Sequence, residues 1–462
     1  MKKTYLLLFS FLLIVITVKA QNLATQLKTA YAAFAKTDAL KYGSVSFTVL
    51  DSKTGTLIFG EKENTGLATA STLKTITSAT ALELLGEDFT FKTEVFYSGE
   101  IVEGILNGDL IIKGGGDPTL GSERWDKTKK LQILNKILFS LQQKGIKIIK
   151  GNIIADASAW DTQSLPTGWI WQDIGNYYGA GTSALCWGEN QFDLNFTPGK
   201  TLGSAVEIGD ISKTYPFLKF VNEITTGKYG SGDNVYAYSA PYTNLIYLRG
   251  TYGIDLKKEI GLSLPEPSLA MAHDVSEFLK GNGYETKFIQ SVRVPSNIKD
   301  VKPLLTITSP PLREIIYWFN KKSINLFGEQ FIRTLGAKLG QNASTIEGLK
   351  VLKDFWKTKG IDPETLNIYD GSGLSPANRV NSLTMAKILA YANQQKWFKT
   401  YYDSFPLYNN QKMKSGTIAN VLGYAGYAGQ ENNICFSLII NNYSGSAAQM
   451  RQKMYTLLNT LK

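Results

Sequence analysis

Apolar positions along the chain change their spacing several times, and each change marks an element. Leu23, Leu27, Ala30, Tyr31 and Phe34 return at helical intervals, after which Val45, Phe47 and Val49 alternate. Asp51 to Gly55 then turns the chain into Leu57 and Phe59, so a helix is predicted to lead into a hairpin. Leu73, Ile76, Ala79, Leu82 and Leu85 predict a second helix, stopped by Gly86. From about Phe91 to Leu194 the pattern becomes short apolar runs broken by glycine, as in Gly108–Pro118 and Gly151–Asp156, with one helical interruption from about Lys127 to Lys144. Between about Pro198 and Ser263 the chain is rich in Gly, Thr, Tyr and Ser and carries only short strands, the signature of a small all-β insert. A helix from about Pro267 to Lys280 leads back through Phe288 to Val294. After Pro303 helices dominate as far as Tyr391, and two strands follow, around Lys414 to Tyr427 and Ile434 to Asn441. The last helix puts Ala447, Met450, Met454, Leu457, Leu458 and Leu461 on one face, suited to docking on a sheet. The first and last thirds therefore read as one α/β domain split by a β-rich insertion.

The extreme N-terminus belongs to none of these elements. Lys2 and Lys3 precede an apolar run from Tyr5 to Val18, and Val18-Lys19-Ala20 places small residues where a signal peptidase requires them, so residues 1–20 are expected to be a signal peptide cut after Ala20. The run is shorter than the ~20 apolar residues that span a bilayer. Export, and a periplasmic location, are the expectation.

Charge alters this picture little. A net charge of +10 is spread along the chain without basic blocks, weak evidence for nucleic acid that fits an anionic wall equally well and decides nothing alone. Two cysteines, Cys186 and Cys435, sit far apart in apolar surroundings and read as buried free thiols rather than a bridge. The single histidine, His273, is more telling, because a histidine-rich metal site cannot be assembled and a histidine triad would have to use this one residue. It falls within a helical stretch and reads as structural, so no metal or other cofactor is expected. Nucleophilic chemistry would then use a lysine base.

Three short motifs fit that requirement. Ser71-Thr-Leu-Lys74 opens the second helix, and the three-residue spacing puts hydroxyl and amine on one face, where the helix N-terminus favours a developing oxyanion. Ser323-Ile-Asn325 lies at a junction of two helical stretches, where a hydroxyl can relay protons and an amide can hold a substrate amide. Lys414-Ser415-Gly416-Thr417 begins a strand, where Lys and Thr are expected to face a cleft and Gly416 allows close backbone approach. Two decoys are set aside: Ser296 to Lys299 follows Pro295 without helical periodicity, and Lys53 to Thr56 lies in the early hairpin turn. Other polar signals read first as turns: Gly114 to Asp117 lacks the lysine and helix of a phosphate loop, Asp370 to Leu374 is a tight turn near the cleft with direct substrate contact as the alternative, and Asp156 is a turn carboxylate, the alternative being an acid near the substrate's side chain. Trp169, Trp171, Tyr177 and Tyr178 read as packing.

The order Ser-x-x-Lys, Ser-x-Asn, Lys-Ser-Gly is the motif set of penicillin-binding proteins and serine β-lactamases. Around it the chain resembles the type-4 class of low-molecular-mass penicillin-binding proteins, the D-alanyl-D-alanine carboxypeptidase/endopeptidase family. The resemblance rests on Ala70–Lys74, Lys113–Pro118, Gly168–Asp173 with Tyr178–Ala180, Asp370–Ser375, and Lys414–Thr417 with Gly423 and Tyr424, and on the long separation of Lys74 from Ser323. Ile324 stands where the family more often has Asp, and Ser415 where it more often has Thr.

The resemblance implies a multidomain α/β protein. A penicillin-binding transpeptidase-like (serine β-lactamase-like) domain would comprise residues 21–90 and 300–462. One inserted domain would span 91–197 and 264–299, and a small all-β one 198–263. It also implies that Ser71 attacks the penultimate D-Ala carbonyl, Lys74 takes its proton, Ser323 relays a proton to the leaving amine and Asn325 holds the peptide amide. Lys414, with the hydroxyls of Ser415 and Thr417, would bind the terminal carboxylate, and the N–H groups of Ser71 and Thr417 would form the oxyanion hole. For Lys74 to act as base its pKa must fall well below the ~10.4 of a free lysine, with Lys414 the charge placed to depress it. Peptidoglycan peptides are the implied substrates and β-lactams the implied inhibitors. The rivals are a β-lactamase or esterase on the same domain, which would not need the long insertion, and a wall-binding protein without catalysis.

Overall fold

The computed structural model of the chain describes residues 22–211, 214–295 and 300–462. The expected signal segment 1–20 and the decoy Ser296 to Lys299 lie outside the described residues. The chain forms two compact units, one of Met1–Glu87, Ile316–Ser323 and Leu352–Lys462, the other of Asp88–Ile315 and Ile324–Val351.

The first unit is built on a six-stranded antiparallel sheet in the order Leu57–Glu61, Ser44–Asp51, Ile434–Asn441, Val421–Ala428, Gln411–Ile418, Leu407–Tyr408. The Ser44–Asp51 strand pairs along its whole length with Ile434–Asn441, so early and late chain share the middle of the sheet. The alternation of Val45, Phe47 and Val49 places them in one core with Leu27, Tyr31 and Phe34 of the helix over residues 22–35 and with Met450, Met454 and Leu457 of the Ala447–Leu458 helix. Burying such a side chain contributes about 1.5–3 kcal/mol, which fixes both helices on this face. Ser46 and Thr48 point the other way and are buried as well, because both hydrogen-bond Oγ of Ser382, at 2.7 Å each. Polar alternation here marks a second packed face.

On that second face lies the Lys74–Leu85 helix, buried from Lys74 to Leu82 although rich in Ser and Thr. Its hydroxyls are satisfied internally, Ser78 donating to Lys74 O and Thr80 to Ile76 O, and its neighbours complete the set through Asn320 Nδ2 to Ser78 Oγ and Trp356 Nε1 to Thr80 Oγ1. Buried polar groups of this kind are tolerated only when paired. The late strands differ from the sequence expectation: Lys414 to Tyr427 is a hairpin of two strands, reversed at Ala419 and Asn420, where Asn420 takes a positive φ of 56°.

The second unit contains a five-stranded sheet in the order Ile289–Val292, Ile153–Asp156, Leu110–Lys113, Lys92–Tyr97, Lys302–Thr308, and a separate three-stranded sheet of Lys219–Gly227, Leu245–Gly253 and Asp233–Tyr238. The helices Lys130–Gln143 and Pro267–Gly281 bury Ile133, Ile137, Leu141, Met271, Val275 and Leu279 in its core. Helices do not begin at Pro303, as the sequence suggested. Pro303 lies in an edge strand, at the irregularity where pairing with Lys92–Tyr97 shifts register, a position that tolerates a missing N–H. Helical structure begins instead with Leu312–Lys322, followed by Asn325–Leu339. Among the described residues no helix is long and apolar enough to cross a membrane.

Candidate active site

Ser71 sits in a 3-10 turn, Ala70–Leu73, that feeds directly into the Lys74–Leu85 helix. Ala70 has a positive φ of 45°, a conformation that costs a non-glycine residue of order 1–3 kcal/mol. The turn is held by Thr72, whose Oγ1 donates to Thr69 O at 2.6 Å. Ser71 remains partly accessible, whereas Lys74 one turn on is fully buried. Lys74 Nζ lies 3.0 Å from Ser71 Oγ and donates to the carbonyl of Ser372 at 2.7 Å, with the ring of Phe319 at 5.7 Å.

A second amine and hydroxyl repeat the arrangement within the same unit. Lys414 Nζ donates to Ser323 Oγ at 3.0 Å and to its neighbour's carbonyl, Ser415 O, at 2.8 Å. Ser323 takes a positive φ of 59° as the chain leaves the Leu312–Lys322 helix. Lys414 is 2 % exposed, and burial, reinforced by the nearby charge of Lys74, holds its pKa well below the usual lysine value. Gly416 brings this strand against the Ser71 turn: a Cβ on it would meet Thr69 O, Thr72 N and Ser71 N at 2.7, 2.8 and 3.0 Å.

Lys414 and Gly416 thus share the face turned to Ser71. Ser415 and Thr417 do not point with Lys414 as the sequence suggested, because side chains alternate along a strand. They pair with Tyr424 and Leu422, whose side chains belong to the core on the opposite face, and Thr417 is exposed. The short Leu407–Tyr408 strand covers only Lys412 and Gln411. Among the described residues no strand pairs with the outer edge from Lys414 to Ile418.

Asn325 begins the Asn325–Leu339 helix and belongs to the other unit, where its Nδ2 donates to Tyr178 O at 2.8 Å. His273 also lies there, on the Pro267–Gly281 helix, beside Asp274 and edge-on to Tyr215. Cys186 and Cys435 are both buried and free, one in each unit, and burial pushes the Cys186 thiol up to about 12. Among the described residues no three His, Cys, Asp or Glu side chains gather as a metal site would require.

The decoy and turn readings have local causes. In the early hairpin Asp51 Oδ1 accepts from the N–H groups of Lys53 and Thr54, which leaves the Lys53 segment an exposed turn. Asp117 uses Oδ1 to accept from Thr119 N and Oγ1, and burial pushes its carboxyl up to about 6. Asp156 accepts from Ser158 N, also as a turn carboxylate. The packing assignment of the aromatics holds for Trp169, which is buried, but Trp171 and Tyr177 are 58 % and 57 % exposed. Sequence reasoning missed the Ser372 carbonyl as a partner of Lys74, since a backbone oxygen has no residue signature. The only pointer was the glycine-bracketed turn around it.

A serine hydroxyl within reach of a buried amine, at the start of a helix and beside a second such pair, is the arrangement of lysine-assisted serine acyl-transfer enzymes, and that is the class these elements define. Residues 27–461 match the family model described as D-Ala-D-Ala carboxypeptidase 3 (S13) family. The chain belongs to that family, and it is accordingly a peptidase. It is 27% identical over 455 residues to the D-alanyl-D-alanine carboxypeptidase of Actinomadura sp. (strain R39), covering 92% of this chain and 82% of the relative. The crystal structure of penicillin binding protein 4 (dacB) from Haemophilus influenzae shares the fold, with a TM-score of 0.77 at 22% identity over 92% of this chain and 97% of that one. The same Haemophilus influenzae protein complexed with a novel β-lactam aligns with a TM-score of 0.72 at 20% identity, over 90% of this chain and 95% of that one.

Proposed function

We propose that this protein is an exported, periplasmic serine-type D-alanyl-D-alanine carboxypeptidase/endopeptidase that cleaves peptidoglycan stem peptides through an acyl-enzyme on Ser71. The observation that carries the reading is the pair of amine–hydroxyl contacts, Lys74 with Ser71 and Lys414 with Ser323, each 3.0 Å long and gathered at one turn and one strand. Neutral Lys74 accepts the Ser71 proton as Oγ attacks the penultimate D-Ala carbonyl. The N–H groups of Ser71 and Thr417 stabilise the oxyanion, each donor contributing about 3 kcal/mol. Ser323 relays a proton to the departing amine, Asn325 holds the peptide amide, and water then releases the acyl group from Ser71.

Lys414, on the face of its strand turned to Ser71, attracts the terminal carboxylate. Because burial and Lys74 disfavour its charged form, an arriving carboxylate supplies the opposite charge that favours protonation. A β-lactam presents a carbonyl and a carboxylate to the same groups, and forms a stable acyl-enzyme. Within this reading the transpeptidase-like domain is narrower than 21–90 with 300–462, because Lys302–Thr308 pairs with Lys92–Tyr97 and residues 324–351 fall in the other unit; the separate three-stranded sheet supports treating 198–263 as a domain of its own, beside 91–197 with 264–299.

Intact-mass analysis after penicillin, followed by peptide mapping, tests the assignment. One adduct on Ser71, absent in Ser71→Ala, is expected, together with release of D-Ala from a D-Ala-D-Ala peptide. An adduct elsewhere, or none, overturns it. Rapid β-lactam hydrolysis without peptide turnover would point instead to a β-lactamase.

A further inference from the structure

The turn around Asp370 touches both ends of the Ser71–Lys74 segment. Asp370 is fully buried and its carboxylate is a hub for its own loop: Oδ1 accepts from Gly373 N and Asn378 Nδ2, each at 2.8 Å, and Oδ2 accepts from Ser375 N at 2.6 Å. Carboxylates that accept several N–H groups hold a turn in one shape. The turn is pinned to the helix carrying Lys74, since Thr77 Oγ1 donates to Gly371 O at 2.6 Å, and it is seated on the residue before the nucleophile, because a Cβ on Gly373, at φ 83°, would overlap Ala70 O. Between those two anchors the Ser372 carbonyl receives Lys74 Nζ at 2.7 Å.

We infer that Asp370 is a positioning residue for the acylation step, acting through the Ser372 carbonyl that its turn presents to Lys74. A neutral amine has two N–H bonds and one lone pair. With one N–H committed to a fixed carbonyl, the lone pair and the second N–H are confined to the two remaining tetrahedral directions, one of which faces Ser71 Oγ, 3.0 Å away. Once the proton has moved, the same carbonyl dipole stabilises the ammonium. The inference rests on the proposed role of Lys74 as base.

The test uses Asp370→Asn in the full mature chain, because the amide keeps the shape of the carboxylate but must set an N–H against one of the donors now satisfied. Acylation by a chromogenic β-lactam and kcat for a D-Ala-D-Ala peptide are each expected to fall about 10- to 100-fold, the usual result of a slightly misplaced catalytic group. The peptide KM should stay within about twofold, since that split marks an interaction made in the transition state. The acid limb of the acylation profile should move to lower pH, because a weakened carbonyl contact stabilises the ammonium less. In a Lys74→Ala background Asp370→Asn should add nothing further, since the two act as one unit. Native kcat with an unmoved acid limb overturns the inference, and so does a loss that merely tracks a lowered unfolding temperature with the limb unmoved. Native acylation in Lys74→Ala alone would instead overturn the base assignment, so the two failures are distinguishable.

Discussion

Gly416→Ala isolates the closest approach in the site. The added methyl would meet Thr69 O, Thr72 N and Ser71 N at 2.7, 2.8 and 3.0 Å, where ordinary contact begins at 3.4 Å. All three are main-chain atoms of the nucleophile turn, so no side chain can rotate away, and the strand must separate from the turn by several tenths of an ångström. Overpacking of this kind costs about 1–3 kcal/mol of stability. The effect on chemistry is larger in proportion, because the displaced pieces carry Ser71 and its amide on one side and Lys414 and Thr417 on the other. A misplacement of 1 Å can cost ~100-fold, so a shift of this size should slow acylation roughly 10- to 50-fold. Stopped-flow acylation with a chromogenic β-lactam, alongside thermal unfolding, measures both quantities. Gly423→Ala is the control: its Cβ would first meet Thr72 Cγ2, a side-chain atom, at 3.0 Å, and acylation should slow only a few-fold. Near-native acylation by Gly416→Ala, or equal damage from the control, would refute the view that this approach sets the geometry of the site.

Three further outcomes are expected. Lys414→Met should abolish carboxylate-dependent turnover yet raise the unfolding temperature at neutral pH, because it removes the cost of a buried, repelled amine. The unfolded chain holds a proton that folded Lys414 has released between its lowered pKa and about 10.4, so native stability rises with pH in that window and the advantage of the variant should shrink toward alkaline pH. A constant advantage would contradict this linkage. Lys414→Ala should lose peptide turnover while Lys53→Ala, in an exposed turn held by Asp51, keeps it within experimental error; equal losses would show the wrong motif had been chosen. His273→Ala should acylate at the native rate across pH, a result that a histidine-dependent mechanism could not give.

Most of the site was legible because its chemistry lies in side chains at fixed spacing. Three residues from Ser71 to Lys74 put amine and hydroxyl on one face, and the structure keeps them 3.0 Å apart. The early hairpin and its Asp51 turn were readable for the same local reason. What escaped depends on contacts distant in sequence or on the backbone. Ser46 and Thr48 gave a half-polar pattern, but Ser382, more than three hundred positions away, makes that face a packed one. The strand from Lys302 to Thr308 was missed because the stretch after Pro303 was read as helical, whereas it pairs at a sheet edge with a register shift. Lys414 and Thr417 were expected on one side of their strand, and the pleat separates them. Exposed Trp171 and Tyr177 were taken for packing, since aromatic identity alone does not tell which face of an insert meets solvent.

The pairing of Ser44–Asp51 with Ile434–Asn441 has a consequence for how activity arises during folding. Ser71 lies early in the sequence, but the strand bearing Lys414 and the strand that flanks the sheet's first hairpin lie more than three hundred positions later. Domains built largely from local contacts can fold as they appear, whereas pairing across such a separation must wait for its partner. Without the residues from Gln411 onward, Ser71 and Lys74 have no Lys414 beside them and the first hairpin has no sheet to join. Pairing of these distant strands is therefore the folding step that completes the site.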